Sequence, residues 1–456
     1  MTNHPIAFHT FLLSLIHLLV DGVCACGVTM SCQTISVAEA CGVIVLYDVL
    51  AFGTQPLTGR WVDASSASGR RLKLATALLV GGALTCVLPV SLNLLTATIG
   101  AILLGMGNSL FHVYGGKYVA VVSHHDIRVM GIFVSTGAVG LALGIGFSSP
   151  ILLAAFLLAL LSLSALHLYY ARRVLQESPL HVYTEEAEQS AAVQEKLQSP
   201  AAVPLLYLSC LMLVVAGRAF IGENVPSLRT SFHSTDAALT MVIVSVIVMA
   251  GKAAGGFLSK TWGVRNVFCV SLLLSAATFL MCPWHDAFVL ATLLCVNISM
   301  PCTLYLATKA VPGREGWAFG LLAMALLPGF LLGQLTKHDS TCQVLLVPLM
   351  ATILLESLLL LYMRERRWRV LATSVVLNIF TNVPLNAFIM AYMVTSPLCL
   401  VGLECIVVVV EFIGYWLVLH ERRRAFMYSL LCNSFSALIG CLFQCLLILF
   451  EISCGL

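Results

Sequence analysis

Gly59-Arg60-Trp61-Val62-Asp63-Ala64-Ser65-Ser66-Ala67-Ser68-Gly69-Arg70-Arg71-Leu72-Lys73 is a short basic stretch between two long apolar runs, 36–58 and 72–92. Each run is long enough to cross the hydrocarbon core of a bilayer, which takes about 20 residues of helix. The same alternation continues through all 456 residues, of which 60% are hydrophobic and 10% charged, with a mean hydropathy of +0.98. A soluble fold has too little interior to absorb so much apolar surface. The chain therefore reads as an all-α integral membrane protein, with most of its length in lipid.

Working outward, the apolar runs at 7–28, 36–58, 72–92, 95–122, 128–147 and 149–171 make a first set of six spans. A second set follows at 201–221, 237–258, 264–282, 286–311, 316–335 and 342–363, and a third block adds 370–392, 397–419 and 425–450. The organisation expected is an N-terminal half, 1–171, a polar cytoplasmic linker, 172–200, a C-terminal half, 201–363, and an appended module of about three spans, 364–456. The first span has no Lys or Arg before it and is interrupted by Asp21, so it reads as a retained span and not as a signal peptide.

Positive charge sets orientation. Arg60, Arg70, Arg71, Lys73, Arg128, Arg172, Arg173, Lys260, Arg265, Arg314, Arg364, Arg366, Arg367, Arg369 and Arg422 to Arg424 all follow even-numbered spans or flank the loops after them. The opposite loops, such as 283–285 and 393–396, are nearly free of positive charge. This puts the N-terminus in the cytoplasm, the C-terminus outside, and the protein in the plasma or inner membrane. A net charge of +3 implies no nucleic-acid partner. The 17 cysteines form no Cys-x-x-Cys and sit mostly within spans, so they read as small soft hydrophobes; neither a metal site nor a cofactor is expected.

The two six-span sets repeat one another. Gly131, Gly140 and Gly144 in span five match Gly320, Gly329 and Gly333 in span eleven at one offset, while Lys117 pairs with Lys309 and Gly59 with Gly256. Small residues at four-residue spacing let membrane helices approach closely, and two parallel halves are a known transporter plan.

These residues resemble the major facilitator superfamily. Its loop signature between spans two and three, roughly Gly-x-x-x-Asp-Arg-x-Gly-Arg-Arg, is similar to Gly59…Asp63…Gly69-Arg70-Arg71, with about three extra residues before Gly69 and no Arg after Asp63. A degenerate second copy reads Gly256…Lys260…Gly263-Val264-Arg265, with Lys260 at the acid's position. The stretch Gly105-Met106-Gly107-Asn108-Ser109-Leu110-Phe111-His112 resembles the fosmidomycin-resistance type of exporter, although Val113 stands where Pro is usual. The resemblance covers about residues 7–363 and implies two halves rocking around a central site. In the loop motif, Asp63 near a helix end can face the positive N-terminus of a neighbouring helix in one conformation and leave it in another, a conformational latch. Residues 364–456 lie outside the resemblance; Asn378, Asn382 and Asn386, Glu404 and Glu411, and Asn433 make polar stripes there, read as helix packing or as a polar path.

A charge at mid-membrane costs at least about 2.5–3.5 kcal/mol, so each such residue needs a partner, a proton or water. The proton-coupling candidates are Asp21, Asp48, His112 and Glu356, with Asp21 first; the alternative for Asp21 is a static pair with Lys117 or Arg218. Candidate substrate contacts are Lys117, Arg218, Lys252, Asn108 and Asn297. Gly137, Gly140, Gly144, Gly329 and Gly333 are read as helix-packing positions, and Gly137, Gly140 and Gly144 resemble the antiporter type without its Pro.

The function expected is secondary active transport of a small organic solute, amphiphilic or anionic, coupled to protons and with export as a possible direction. No nucleotide-binding loop occurs, and the loops are too short for a soluble catalytic domain. His124-His125-Asp126 is the only cluster an embedded enzyme could use, and it lacks partners. The competing reading is a receptor or regulatory protein that retains the transporter fold.

Overall fold

The computed structural model describes residues 4–64, 69–87, 93–177, 202–225, 237–282, 285–336 and 397–434, with single positions between 370 and 381. The chain divides into two compact units, Met1–Gln334 and Leu335–Leu456.

In the first unit α1 spans His4–Cys32, and the second span is α2 Val37–Asp48, a π-helical turn Val49–Gly53, and α3 Gln55–Asp63. Then come α4 Arg70–Thr85, α5 Asn93–Val122, α6 Ile127–Gly146 and α7 Pro150–Glu177. The second half holds α8 Ala202–Asn224, α9 Ala237–Trp262, α10 Val264–Leu280, α11 Asp286–Ala310, α12 Glu315–Met324 and α13 Leu326–Thr336. Nine helices among the described residues are long and apolar enough to cross a membrane.

Local chemistry explains the boundaries. Ser36 opens α2 with a capping box, its backbone N–H donating to Glu39 Oε2 at 2.9 Å while its hydroxyl accepts from the Glu39 N–H. Asp126 caps α6 by accepting from the Arg128 N–H at 3.0 Å. His124-His125-Asp126 is thus the turn between α5 and α6, with both histidines left-handed (φ 53° and 58°). Gly263, at φ 86°, is the whole link between α9 and α10, a conformation that suits glycine.

Three expected boundaries shift. Span two continues past 58 to Asp63, with Pro56 tolerated in the first turn of α3, and span eight past 258 to Trp262; Gly59, Asp63, Gly256 and Lys260 are therefore helical and not in loops. Span eleven is divided at Ala325 into α12 and α13. The linker beyond Glu177, the span at 342–363 and most of that at 370–392 lie outside the described residues.

The core of this unit is apolar and close-packed, with Leu13, Ile16, Leu72, Leu79, Leu104, Phe111, Met130 and Phe133 all essentially inaccessible. Apolar residues such as Leu57, Ile151 and Leu158 face outward, as surface meeting lipid should.

The glycine repeat is realised as helix crossings. A Cβ on Gly140 or Gly144 would collide with the α1 backbone at Leu18 or Gly22, and one on Gly329 with the α8 backbone at Ala216. Span five thus seats on span one as span eleven seats on span seven. Crossings between the halves are equally close. A Cβ on Gly59 would lie 2.5 Å from the Gly316 carbonyl, and one on Gly256 2.7 Å from that of Ile127.

In the second unit α14 spans Pro397–Leu419, and a further helix, α15, covers 422–434. Glu411 on α14 is fully buried; it accepts from Asn433 Nδ2 on α15 at 2.7 Å and hydrogen-bonds Thr381 at 3.0 Å. Polar contacts tie these helices together.

Candidate functional site

The centre of the N-terminal half holds a buried polar cluster on α1 and α5. His17 and Asp21 are one turn apart on α1, with His17 Nε2 3.4 Å from Asp21 Oδ2. His112 on α5 places its Nε2 3.4 Å from Asp21 Oδ1 and 2.9 Å from His17 Nε2. Asn108, one turn before His112, donates from Nδ2 to Asp21 Oδ1 at 3.4 Å and to the Tyr47 hydroxyl at 3.0 Å. The other ring nitrogens are held by backbone carbonyls: His17 Nδ1 lies 2.6 Å from Phe133 O, and His112 Nδ1 3.0 Å from Asn108 O. A carbonyl can only accept, so both Nδ1 atoms carry hydrogen and both rings turn their Nε2 atoms inward. Gly137 leaves the room for this, since a Cβ there would meet the Asp21 carboxylate and stand 2.6 Å from His17 Nε2.

Asp21, with its side chain 18% accessible against 6% and 10% for the two imidazoles, is the member that opens toward solvent. The second half contributes two basic residues: Lys252, which acts electrostatically on Asp21 and His112, and Arg218, which acts on Lys252. Arg218 is buried and its NH1 has no hydrogen-bond partner.

Of the residues expected from sequence, Asp21, His112 and Asn108 come together, Lys252 acts electrostatically on the first two, and Arg218 acts on Lys252. Asn297 is buried on α11, where its Nδ2 donates to Leu293 O within its own helix at 2.8 Å. It lies 297 − 108 = 189 positions after Asn108, the offset of the glycine repeat. Asp48 is buried on α2 apart from the cluster, with the Glu223 carboxylate acting on it from α8. Glu356 lies outside the described residues. Lys117 is not at the centre and does not pair with Asp21: its Nζ is 3.2 Å from Asp63 Oδ1, because α5 carries it five residues beyond His112 toward the basic end. His17, Tyr47 and the clearance at Gly137 were not anticipated; the His17–Asp21 spacing of four, one face of a helix, was the available signal.

At the basic end the loop motif forms one connected contact. Asp63 Oδ1 accepts from the Gly316 N–H at 3.0 Å and Oδ2 from the Trp317 N–H at 2.8 Å, capping α12 from another helix. Arg71 donates to the Trp61 and Val62 carbonyls at 2.8 and 3.2 Å, covering the C-terminal end of α3. Arg70 and Arg265 are exposed, and a Cβ on Gly69 would meet only the Leu168 side chain. In the second copy Lys260 sits in the last turn of α9 and acts on Asp126, the cap that α6 supplies for itself. The Arg128 guanidinium, 2.6 Å away, holds the Asp126 carboxyl below the usual carboxylate range. Burial lowers His125, in the same turn, to about 4, and its Nε2 stands 3.8 Å from Glu315.

A family model described as Major Facilitator Superfamily matches residues 29–334. The chain belongs to that superfamily: it is a multi-pass membrane protein built for solute transport, and not an enzyme. Among solved structures, a bacterial homologue of the iron transporter ferroportin, in an outward-facing state with soaked iron, is similar at 14% identity and a TM-score of 0.51, over 76% of this chain and 98% of that one. The fucose:proton symporter of E. coli is similar at 14% identity and a TM-score of 0.45, over 72% of this chain and 92% of that one. No curated protein sequence matches the chain.

Proposed function

We propose that the protein carries a small organic anion across the membrane by alternating access, coupled to a cation bound at the Asp21 cluster. The carrying observation is the division of charge at the centre: His17, Asp21 and His112 on one half attract positive charge, while Arg218 and Lys252 on the other attract negative charge. A solute between the halves can therefore be read by both, and its passage tied to the charge state of the cluster. In keeping with the sequence, the coupling ion is the proton and the direction export.

Close contacts join the halves at the basic end, through Gly59 on Gly316 and Gly256 on Ile127. With that end in the cytoplasm, as its charge predicts, this is an outward-facing arrangement. The Asp63 contact then acts as a latch for that state, which favours a moving carrier over a static receptor.

The test is a purified, liposome-reconstituted protein under an imposed pH gradient, with internal pH followed as pools of organic anions are added. Solute-dependent proton flux should appear in the wild type and vanish in Asp21→Asn. Flux that survives in that variant would remove Asp21 from coupling, and no flux with any pool would remove the transport reading.

A further inference from the structure

We propose that His17, Asp21 and His112 form a coordination site for a first-row divalent transition-metal ion. This deepens the preceding reading and rests on it in placing the cation at the Asp21 cluster. The three ligand groups lie within 4.8 Å of one another on two neighbouring helices. The two Nε2 atoms are 2.9 Å apart, and each lies 3.4 Å from a different oxygen of the one carboxylate, His17 from Oδ2 and His112 from Oδ1. With metal–ligand distances of about 2.1 Å, neighbouring ligands stand about 3.0 Å apart at a right angle and about 3.4 Å apart at a tetrahedral one. The two nitrogens and the carboxylate spanning them, one oxygen toward each, have the spacing of neighbouring ligands on such an ion.

Three further features point the same way. Both imidazoles donate Nδ1–H to a backbone carbonyl, the outer-shell contact that fixes a metal-binding histidine and aims its Nε2 lone pair. Two lone pairs 2.9 Å apart, with a carboxylate beside them, repel unless a cation lies among them. A single shared proton bridges the two nitrogens but leaves both carboxylate contacts at 3.4 Å. Finally, Asn108 Oδ1 is buried without a hydrogen-bond partner beside the carboxylate, an acceptor suited to a metal-bound water.

The donor set selects among ions. Two imidazoles and one carboxylate suit Mn²⁺, Fe²⁺, Co²⁺, Ni²⁺ or Zn²⁺ and exclude the all-oxygen preference of Mg²⁺ and Ca²⁺. Charge selects the accompanying species. A dication against one carboxylate leaves surplus positive charge facing Lys252 and Arg218, which an organic anion relieves. Metal and anion should therefore bind synergistically.

The experiment is Co²⁺ titration of the full-length protein in lipid nanodiscs, read by visible absorption and by metal content per chain. One Co²⁺ per chain with a nitrogen/oxygen ligand-field spectrum is expected, with affinity falling at least 30-fold in His17→Gln and in His112→Gln. Citrate should tighten wild-type binding. Absence of stoichiometric binding, binding that is undiminished in both variants, or a spectrum dominated by sulfur-to-cobalt charge transfer from cysteines would each overturn the site. Should a variant fail to fold, a Co²⁺-dependent rise in the wild-type melting temperature, absent with Mg²⁺, carries the test instead, and no rise overturns the proposal. Proton flux in liposomes without Co²⁺ binding would sink the metal site and leave the coupled-transport reading standing. Co²⁺ binding without flux would do the reverse.

Discussion

Replacing Asp63 by Asn should unlatch the basic end of the transporter. Asp63 makes two charge-assisted contacts to the first turn of α12, at 3.0 and 2.8 Å, and is paired with Lys117 at 3.2 Å. A hydrogen bond to a charged group contributes about 1.5–3 kcal/mol. Asn keeps one carbonyl to accept from one N–H, so the loss is about one such bond plus the attraction to the helix N-terminus, itself about 0.3–1 kcal/mol. A total near 2–4 kcal/mol moves the equilibrium between closed and open forms by about 30- to 700-fold, since about 1.4 kcal/mol is tenfold. Hydrogen exchange read by mass spectrometry checks this without labels. Loss of the acceptor alone would expose only the Gly316 and Trp317 amides. Separation of the halves would also speed exchange in 51–63, which meets α12 where Gly320 rides on Gln55. Faster exchange in both segments is expected; a change confined to 316 and 317, or none, refutes the latch.

Other outcomes follow from the same geometry. Gly137→Ala should abolish cluster function and cost about 1–3 kcal/mol through overpacking, seen as lost flux and a lower melting temperature. Gly140→Ala should destabilise similarly, because its Cβ meets the Leu18 carbonyl, whereas Gly42→Ala, with nothing within 4 Å, should be neutral or gain up to about 1 kcal/mol in thermal unfolding. His125 binds its proton more weakly folded, at about 4, than unfolded, near 6.5. The unfolded state therefore protonates first as pH falls, stability is lost between about 6.5 and 4, and His125→Gln should flatten the melting temperature across that window. Glu411→Gln should be tolerated while Glu411→Ala, leaving Asn433 and Thr381 short of a partner, lowers stability by about 1–3 kcal/mol in denaturation of the full chain.

Hydropathy and the placement of Lys and Arg made the helical membrane fold legible, because lipid imposes on every span the same demand for length and apolarity. The repeat was legible too: glycine spacing on spans five and eleven survives as backbone crossings with spans one and seven. The loop signature singled out Asp63 but not its partner. Asp63 caps Gly316 and Trp317, more than 250 positions away, and only tertiary structure brings those together. Asp21, His112 and Asn108 stood out as polar groups in apolar runs. His17 did not, although it stands mid-span one turn before Asp21; only the neighbouring helix shows that its ring faces His112. Gly137, read as packing, makes room for a carboxylate, and composition cannot distinguish those roles.

The two interhelical glycine contacts at the basic end carry a mechanical consequence. Gly59 against Gly316, and Gly256 against Ile127, join the halves by main chain on main chain, with no long side chain between to stretch or follow. Dispersion of this kind falls by a quarter to a half once a gap of about 0.5–1 Å appears. Such a joint resists small displacements and then gives way at once, so under the proposed alternating access the gate would behave as a snap fastener, shut or released, with little population between.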